Sequence, residues 1–363
     1  MEEIMRILAV VLASFVVVFA IWWAWPARID PAYWDEPEPP ELSGVLEPDG
    51  ALARAGARGD GLIHSSEDIA LAPGGGFYTG QPDGTLMWVS QNGREARVVA
   101  RITDNRPVLG LQWHPEGRLI AAASDGVYAV DVDSGRVELI SRGPDDRPFG
   151  FADDLDIAED GTIYVTDASW YWANGVGEPS FQYDMAENRP YGLFYALQMN
   201  GTIELVREGL YFANGVAMAA DGQSVFVIET FRYRLSRYWI EGPRAGEWEI
   251  VADNLPGIPD GVTGDGTGRL YIAMDTQRVA LLRFMHRNPF WTRMLTKLPE
   301  FVWLRSGPPR GFILVVDEQG EYLDSWHDPD GRWGLIANVV PDGEGRLYIG
   351  SLTEPRAGVF VIP

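Results

Sequence analysis

The sequence predicts an all-β fold, a six-bladed β-propeller, preceded by a single N-terminal transmembrane helix. Two observations carry this prediction: a turn-and-strand pattern that recurs along most of the chain, and one long uncharged apolar run before it. The abundance of Trp, Tyr and Gly is typical of aromatic-rich strands joined by tight turns. The expected division is a membrane anchor over 1–26, an extended Pro- and Glu-rich linker over 27–60, and the propeller over 61–363 with insertions at 170–190 and 276–310.

The N-terminal segment is a candidate membrane anchor, because residues 7–25 contain no charged side chain and a helix of this length crosses a hydrocarbon core of about 30 Å. Trp22, Trp23 and Trp25 gather at its end, where indole rings settle at the boundary between lipid and water. A cleaved signal peptide is the alternative, although no small-x-small cleavage site follows. A single span before a large acidic domain favours a single-pass membrane protein with the propeller on the periplasmic or other extracytoplasmic side.

The overall charge bounds the possible partners. With a formal net charge of −23 the chain lacks the basic surface that phosphate binding needs, so no nucleic-acid partner is expected. An acidic chain suits a domain that handles cations. The sequence has no Cys, which excludes disulfides and thiolate metal sites.

The propeller prediction comes from six copies of one pattern, in which small turn residues are followed by a β-rich run. The glycine before each strand stands at Gly75, Gly117, Gly161, Gly222, Gly268 and Gly345. The steps between them are 42, 44, 61, 46 and 77 residues, and three of these match a four-stranded blade of about 40–50 residues. The two long steps therefore carry insertions. A pair of β-sandwiches with chance D-G hairpins is the alternative fold.

The two insertions differ in character. The first, 170–190, is aromatic and polar and could form a lip of the tunnel mouth. The second is basic in an otherwise acidic protein, and Asn288-Pro289 within it is typical of a helix start. Apolar and basic side chains would then lie on opposite helical faces, so the segment 283–304 could rest on an anionic membrane or cap the tunnel mouth. A helix simply packed on the propeller is the alternative.

Two polar residues stand just before strands, at corresponding places in two of the units. Asn214 and Asp260 lie 46 residues apart, the length of one blade. If the units are blades, both side chains point into the central tunnel at one mouth. A cation could bind between them there.

Several motifs in the same order give the chain, from about Leu62 onward, a resemblance to the strictosidine synthase-like family. They are F-A-D-D-L-D-I at Phe151, L-Y-F-A-N-G-V at Leu210, R-Y-W-I-E-G-P at Arg237 and L-P-G-I-P-D-G at Leu255. More distantly the chain is similar to paraoxonases and gluconolactonases, which share a six-bladed propeller with calcium in the tunnel. The resemblance therefore implies Ca²⁺ as a cofactor.

Carried over residue by residue, the resemblance implies four calcium ligands: Glu67, Asp153, Asn214 and Asp260. All four offer hard oxygen donors, which suit Ca²⁺. Asp153 stands where the family usually has Asn, and the added negative charge should tighten cation binding but weaken the pull of the ion on a carbonyl. The next residue, Asp154, could bind a second ion or cap a turn.

These ligands lead to a first hypothesis, a membrane-anchored, calcium-dependent hydrolase of esters or lactones. The ion would act on the substrate carbonyl as a Lewis acid, Asp260 would serve as base or nucleophile, and His64 would carry a proton. The synthase reaction is not expected, because Asn338 stands at or near the position of the founding enzyme's catalytic glutamate, and an amide cannot exchange the proton. The alternative is a non-catalytic propeller that serves as a structural or binding subunit of a membrane protein assembly.

Overall fold

The computed structural model describes residues 2–172, 180–303 and 310–363, and in these ranges its strands form six four-stranded antiparallel sheets. The predicted six-bladed propeller is confirmed. The strands of blades 1 to 3, after β1 (Gly56–Arg58), are β2 (Ile69–Leu71), β3 (Phe77–Gly80), β4 (Thr85–Val89), β5 (Ala96–Arg101), β6 (Val108–Trp113), β7 (Leu119–Ala123), β8 (Gly126–Asp131), β9 (Arg136–Ser141), β10 (Ala152–Ile157), β11 (Ile163–Asp167), β12 (Gly192–Leu197) and β13 (Ile203–Leu210). Those of blades 4 to 6 are β14 (Ala213–Met218), β15 (Ser224–Glu229), β16 (Arg234–Trp239), β17 (Trp248–Ala252), β18 (Gly257–Gly264), β19 (Arg269–Gln277), β20 (Phe312–Asp317), β21 (Tyr322–His327), β22 (Ile336–Pro341), β23 (Arg346–Ser351) and β24 (Ala357–Val361), with β1 as the outer strand of blade 6.

The first strand of each blade lies at the propeller axis. β2, β6, β10, β14, β18 and β22 contact one another in that order, and β22 contacts β2, so the ring is closed. The core lies between the blades: Phe226 and Ile228 of blade 4, for example, pack in one cluster with Leu270 and Ile272 of blade 5. Burying a side chain of this size contributes about 1.5–3 kcal/mol. The inner strands are therefore held rigidly around the tunnel.

The six glycines of the repeat occupy one structural position, the turn before the second strand of a blade. All six have a positive φ, between +70° and +97°, which side chains other than glycine rarely adopt. At Gly161 space is limiting as well, because a Cβ there would lie 2.9 Å from Nε2 of His114 in the neighbouring blade. The repeat in the sequence is thus a repeat of one backbone conformation.

The range 27–60, predicted as an extended linker, lies against the propeller instead of forming a free spacer. Its last strand, β1, pairs with β24, Gly56 opposite Val359, and completes the sixth blade. Upstream, Leu46 and Leu52 are buried and Glu36 is only 1 % exposed. The apolar side chains and carboxylates of this segment find partners on the propeller, which its Pro and Glu content alone does not reveal.

Within the described ranges five α-helices stand outside the sheets: α1 (Glu2–Ala24), α2 (Ser180–Glu187), α3 (Ala280–Arg287), α4 (Pro289–Leu295) and α5 (Glu300–Trp303). By length and composition α1 could cross a membrane, as an anchor or as a signal sequence, and none of its residues is buried in the protein. The other helices belong to the two insertions, of which 173–179 and 304–309 lie outside the described residues. The helix start predicted at Asn288-Pro289 is confirmed; α4 ends at Leu295, and a separate helix, α3, precedes it.

Helices α2 to α5 pack together into what we call the helical cap. Tyr183 of α2, Met285 of α3 and Trp303 of α5 share one buried cluster. His286 of α3 lies at the centre of the cap: its Nε2 is 2.9 Å from the carbonyl oxygen of Met185, and its Nδ1 is 2.7 Å from Oε2 of Glu36. The cap is therefore tied both to itself and to the N-terminal segment.

Candidate metal centre

Bulges in the inner strands place the predicted ligands. β6, β10, β14, β18 and β22 each show a register shift against the second strand of the blade, at the same height along the strand. The first residues inside these bulges are Leu109, Asp153, Asn214, Asp260 and Ala337, and the second are Gly110, Asp154, Gly215, Gly261 and Asn338. In blade 1, Glu67 and Asp68 take the matching places before β2. Apart from Gly215, all of them line one small space on the propeller axis.

Glycines follow two of the predicted ligands, Asn214 and Asp260, because neighbouring inner strands approach closely. A Cβ on Gly215 would lie 2.5 Å from the backbone nitrogen of Val262, and one on Gly261 would lie 2.6 Å from the carbonyl oxygen of Ala337. A side chain there would force the blades apart. The motifs N-G-V and P-D-G therefore combine an axial polar side chain with a residue that lets the next blade come close.

The second bulge position holds the blades together. Oδ2 of Asp68 accepts the backbone N–H of Leu111 at 2.6 Å, and Oδ2 of Asp154 accepts that of Val216 at 2.9 Å. Nδ2 of Asn338 donates to Oδ1 of Asp68 at 2.6 Å. Because these side chains bridge inner strands, the geometry favours a structural role for Asp154 over a second ion site.

The first bulge position, by contrast, gathers carboxylates with few hydrogen-bond donors. Oδ2 of Asp153 is buried and has no partner among the described residues, and Oδ1 of Asp260 accepts Nδ2 of Asn214. Burial and the neighbouring carboxylates raise the pKa of Glu67 and of Asp153 well above the usual carboxyl range. Burial and Asp275 do the same to the pKa of Asp260, against the hydrogen bond from Asn214. Each of these groups resists ionisation without a nearby positive charge.

Asp275 of β19 joins this group, and the sequence reasoning missed it. Burial and Glu67 raise the pKa of Asp275 to about 8, and its Oδ1 has no hydrogen-bond partner within the described ranges. By contrast, Asp167, the buried acid at the end of the second strand of blade 3, accepts the backbone N–H of Phe151 at 2.6 Å. A lone acid directly after the apolar run 270–274 was the signal that could have identified Asp275.

The donor chemistry fits a hard divalent cation. Three carboxylates and one amide from four blades surround the axis, and so many buried carboxylates are costly unless a cation neutralises them. Among the described residues no three acidic or histidine side chains converge closely enough to hold an ion by themselves. Asn214 also presents its amide nitrogen to Asp260, so binding would require this amide to turn its oxygen toward the ion.

An apolar cavity of about 350 Å³ opens above the carboxylates. Glu67, Asp153, Asn214, Asp260 and Asp275 belong to its lining, and its wall is largely aromatic or aliphatic, with Phe151, Phe181, Met185, Phe212 and Phe231. Phe181 and Met185 come from α2, so the first insertion does contribute a lip to this mouth. Arg106 is the one basic residue among the described residues of the lining. The cavity thus combines an acidic floor, an apolar wall and one cationic side chain.

His64, the expected proton carrier, is not brought to the site. Its side chain is exposed and does not line the cavity, although Glu67 three residues later does. The backbone N–H of His64 donates to Oε1 of Gln81 at 2.8 Å, which fixes the loop with His64 on the outside. The geometry therefore gives His64 no access to a substrate in the cavity.

Comparison with known proteins identifies the family. Residues 74–287, more than half of the chain, match the family model described as the SMP-30/Gluconolactonase/LRE-like region. The chain belongs to the SMP-30/gluconolactonase/LRE-like family. The part of the chain that matches the family model includes Asp153, Asn214 and Asp260, whereas Glu67 lies before it.

The relatives of this SMP-30/gluconolactonase/LRE-like chain include two proteins of the expected kind. The adipocyte plasma membrane-associated protein of Salmo salar is 28% identical over 97% of this chain and 89% of its own length. Strictosidine synthase-like 6 of Arabidopsis thaliana is 29% identical over 81% of this chain and 78% of its own length. The resemblance to the strictosidine synthase-like family is confirmed.

Solved structures of other proteins show the same fold as this family member. A gluconolactonase from Xanthomonas campestris superposes with a TM-score of 0.62 at 18% identity, covering 94% of this chain and 99% of its own. A calcium-binding protein, regucalcin, from Agrobacterium tumefaciens superposes with a TM-score of 0.58 at 15% identity, covering 85% and 94%. The propeller is therefore lactonase-like in fold.

Proposed function

We propose that the protein is a membrane-anchored, calcium-dependent hydrolase of carboxylic esters or lactones. The observation that carries the proposal is a group of buried and half-buried carboxylates, poor in hydrogen-bond donors, on the floor of an apolar cavity. Such a site suits a substrate with one polar reacting bond and an apolar remainder. The structural neighbours described as a gluconolactonase and as a calcium-binding protein support the reaction class and the ion.

Each part of the site has a role in this proposal. Glu67, Asp153, Asn214 and Asp260 would hold calcium, which when bound supplies a Lewis acid for the carbonyl of the ester. Asp260 is the candidate base or nucleophile, because it belongs both to the carboxylate group and to the cavity lining. The aromatic wall holds the apolar part of the substrate and limits the entry of water. Arg106 can orient an anionic group of the substrate.

Condensation of the strictosidine synthase type is not part of the proposal. Asn338 lies in the layer that ties the blades, where its Oδ1 accepts the backbone N–H of Val339 at 2.8 Å and the hydroxyl of Thr263 at 3.1 Å. An amide held in this way neither gives nor takes the proton that the condensation requires.

The test is hydrolysis by the purified full chain in detergent, with phenyl acetate and a panel of lactones as substrates. We expect activity that EGTA abolishes, that added calcium restores, and that Asp260→Asn lacks. Asp156→Asn is the matched control, because Asp156 is a half-buried carboxylate near the axis that accepts the backbone N–H groups of Ile157 and Met218. Activity that survives EGTA, or that survives in Asp260→Asn, contradicts the proposal. Calcium binding without hydrolysis would favour the non-catalytic subunit.

We also propose that α1 remains attached as the anchor, with the propeller on the extracytoplasmic side. Nζ of Lys297 lies 2.9 Å from the carbonyl oxygen of Trp23, so the last turn of α1 is part of the folded protein. The membrane association in the names of the adipocyte relatives supports this proposal. The mass of the protein isolated from membranes shows whether α1 is retained. Protease accessibility of the propeller in intact spheroplasts shows on which side of the membrane it lies.

A further inference from the structure

The outer surface of the helical cap carries three exposed aromatic side chains beside the end of α1. Phe284 and Phe290 are each 48% exposed and Trp291 is 57% exposed. The ring of Phe290 lies 5.4 Å from that of Trp23, and Phe284 and Trp291 line, together with Trp22, an open apolar groove of about 240 Å³. We call Phe284, Phe290 and Trp291 the aromatic face. It continues directly from the apolar surface of α1.

Most basic residues around this face are paired with acids within the protein, and Lys297, the exception among the described residues, has its Nζ 2.9 Å from the carbonyl oxygen of Trp23. The ion pairs join Arg283 to Glu38, Arg287 to Asp35 and Arg293 to Asp30. All three acids belong to the segment that follows α1, which lies along the cap. Anionic lipid is therefore not needed to neutralise Arg283, Arg287 and Arg293. The exposed part of this surface without a partner in the protein is mainly apolar and aromatic.

We propose that the aromatic face lies in the interfacial region of the bilayer that α1 crosses, with lipid rather than protein as its neighbour. The inference rests on the proposed anchor. If α1 spans the membrane, Trp22 and Trp23 lie at the boundary between lipid and water, and the groove that Trp22 shares with Trp291 lies at the same level. Indole and phenyl rings favour this region, and their insertion needs no lipid charge.

The face is coupled to the cavity through the cap. Phe284 and His286 belong to α3, and Nε2 of His286 is 2.9 Å from the carbonyl oxygen of Met185, whose side chain lines the cavity. The layer that closes the apolar cavity on this side is thus the same layer that meets the membrane. A substrate that partitions into the bilayer would be concentrated next to it.

The absence of Cys from the sequence allows a direct test with single nitroxide labels. Phe284→Cys and Trp291→Cys place the label on the aromatic face, and Val98→Cys on the outer strand of blade 1 is the control, since Val98 is 59% exposed. The full chain is reconstituted into vesicles of phosphatidylcholine and separated by flotation. Collision with oxygen, which concentrates in lipid, is then compared with collision with a water-soluble nickel chelate.

We expect labels at 284 and 291 to collide mainly with oxygen, and the label at 98 mainly with the nickel chelate. Equal nickel accessibility at all three positions overturns the inference. Low accessibility to both reagents at 284 and 291 also overturns it, because a second copy or another protein would then cover the face. The measurement is repeated in vesicles that contain anionic lipid. If labels at 284 and 291 prefer oxygen only in those vesicles, insertion of the aromatic face depends on lipid charge, which contradicts the inference. Failure of the unlabelled chain to float would instead reject the anchor, and unchanged melting of each variant shows that it is folded.

Discussion

Replacing Asp153 by Asn should stabilise the metal-free protein and weaken its calcium binding at the same time. Burial, Glu67 and Asp260 raise the pKa of Asp153 well above the usual carboxyl range. A raised carboxyl pKa means that stability is present at low pH and is lost as the pH rises through the folded-state value. Asn has the same shape without the charge, so the metal-free variant should keep the stability that the wild type loses.

Coulomb's law gives the size of both effects. Two unit charges about 5 Å apart interact by roughly 3 kcal/mol at an effective dielectric constant of 20. Asp153→Asn should therefore raise the free energy of unfolding of the metal-free protein by about 3 kcal/mol at pH 9, and by less at pH 5, where protonation already relieves the repulsion. Calcium loses one negative charge from its ligand set but keeps an amide oxygen at the same place, so its dissociation constant should rise by about a hundredfold, or roughly 2.7 kcal/mol.

Thermal unfolding in EGTA at pH 5, 7 and 9 measures the first effect, and calorimetric titration with calcium measures the second. Asp156→Asn again serves as the control, because its carboxylate lies outside the proposed ligand set and should leave calcium affinity unchanged. The reasoning is refuted if Asp153→Asn melts below the wild type in EGTA at pH 9, or if it binds calcium as tightly as the wild type does.

Three further predictions concern other parts of the chain. Burial raises the pKa of Asp184 to about 8, so wild-type stability should fall between pH 5 and pH 9 while that of Asp184→Asn falls less, as melting curves would show. Arg106→Gln should raise KM about tenfold for nitrophenyl esters with an anionic acyl chain, because one charge-assisted hydrogen bond to the substrate is lost. KM for neutral esters should stay unchanged. Arg278→Met should lower the free energy of unfolding by about 3–5 kcal/mol, because the buried Glu36 loses its guanidinium partner. Arg283→Met removes a more exposed ion pair and should cost less than about 1 kcal/mol. Urea titration of both variants measures the difference.

The number of blades and the axial place of Asn214 and Asp260 could be predicted because both depend on local patterns, whereas Glu67 and Asp153 followed only from the family resemblance. Glycine before each second strand reflects one turn conformation, and the glycine after Asn214 or Asp260 reflects the close approach of the next inner strand. The structure then brings Glu67, Asp153, Asn214 and Asp260 to one axial space from four blades. Whether they bind calcium remains a prediction.

The features that were missed depend on long-range contacts. β1 has three residues and no strand pattern of its own, and its place follows from pairing with β24 at the other end of the chain. The partners of Glu36 lie in the second insertion, so the sequence near Glu36 gives no sign of its burial. His64 and Glu67 are close in the chain, and only the folded loop, in which His64 is exposed and Glu67 lines the cavity, shows which of them faces the tunnel.

A crystal structure of the full chain grown with calcium would show whether the axial residues bind the ion. We expect one ion on the propeller axis, bound by oxygens of Glu67, Asp153, Asn214 and Asp260 at about 2.3–2.6 Å, with the amide oxygen of Asn214 turned toward it. An axis that holds only water at saturating calcium, or an ion bound elsewhere without these side chains, would contradict this expectation.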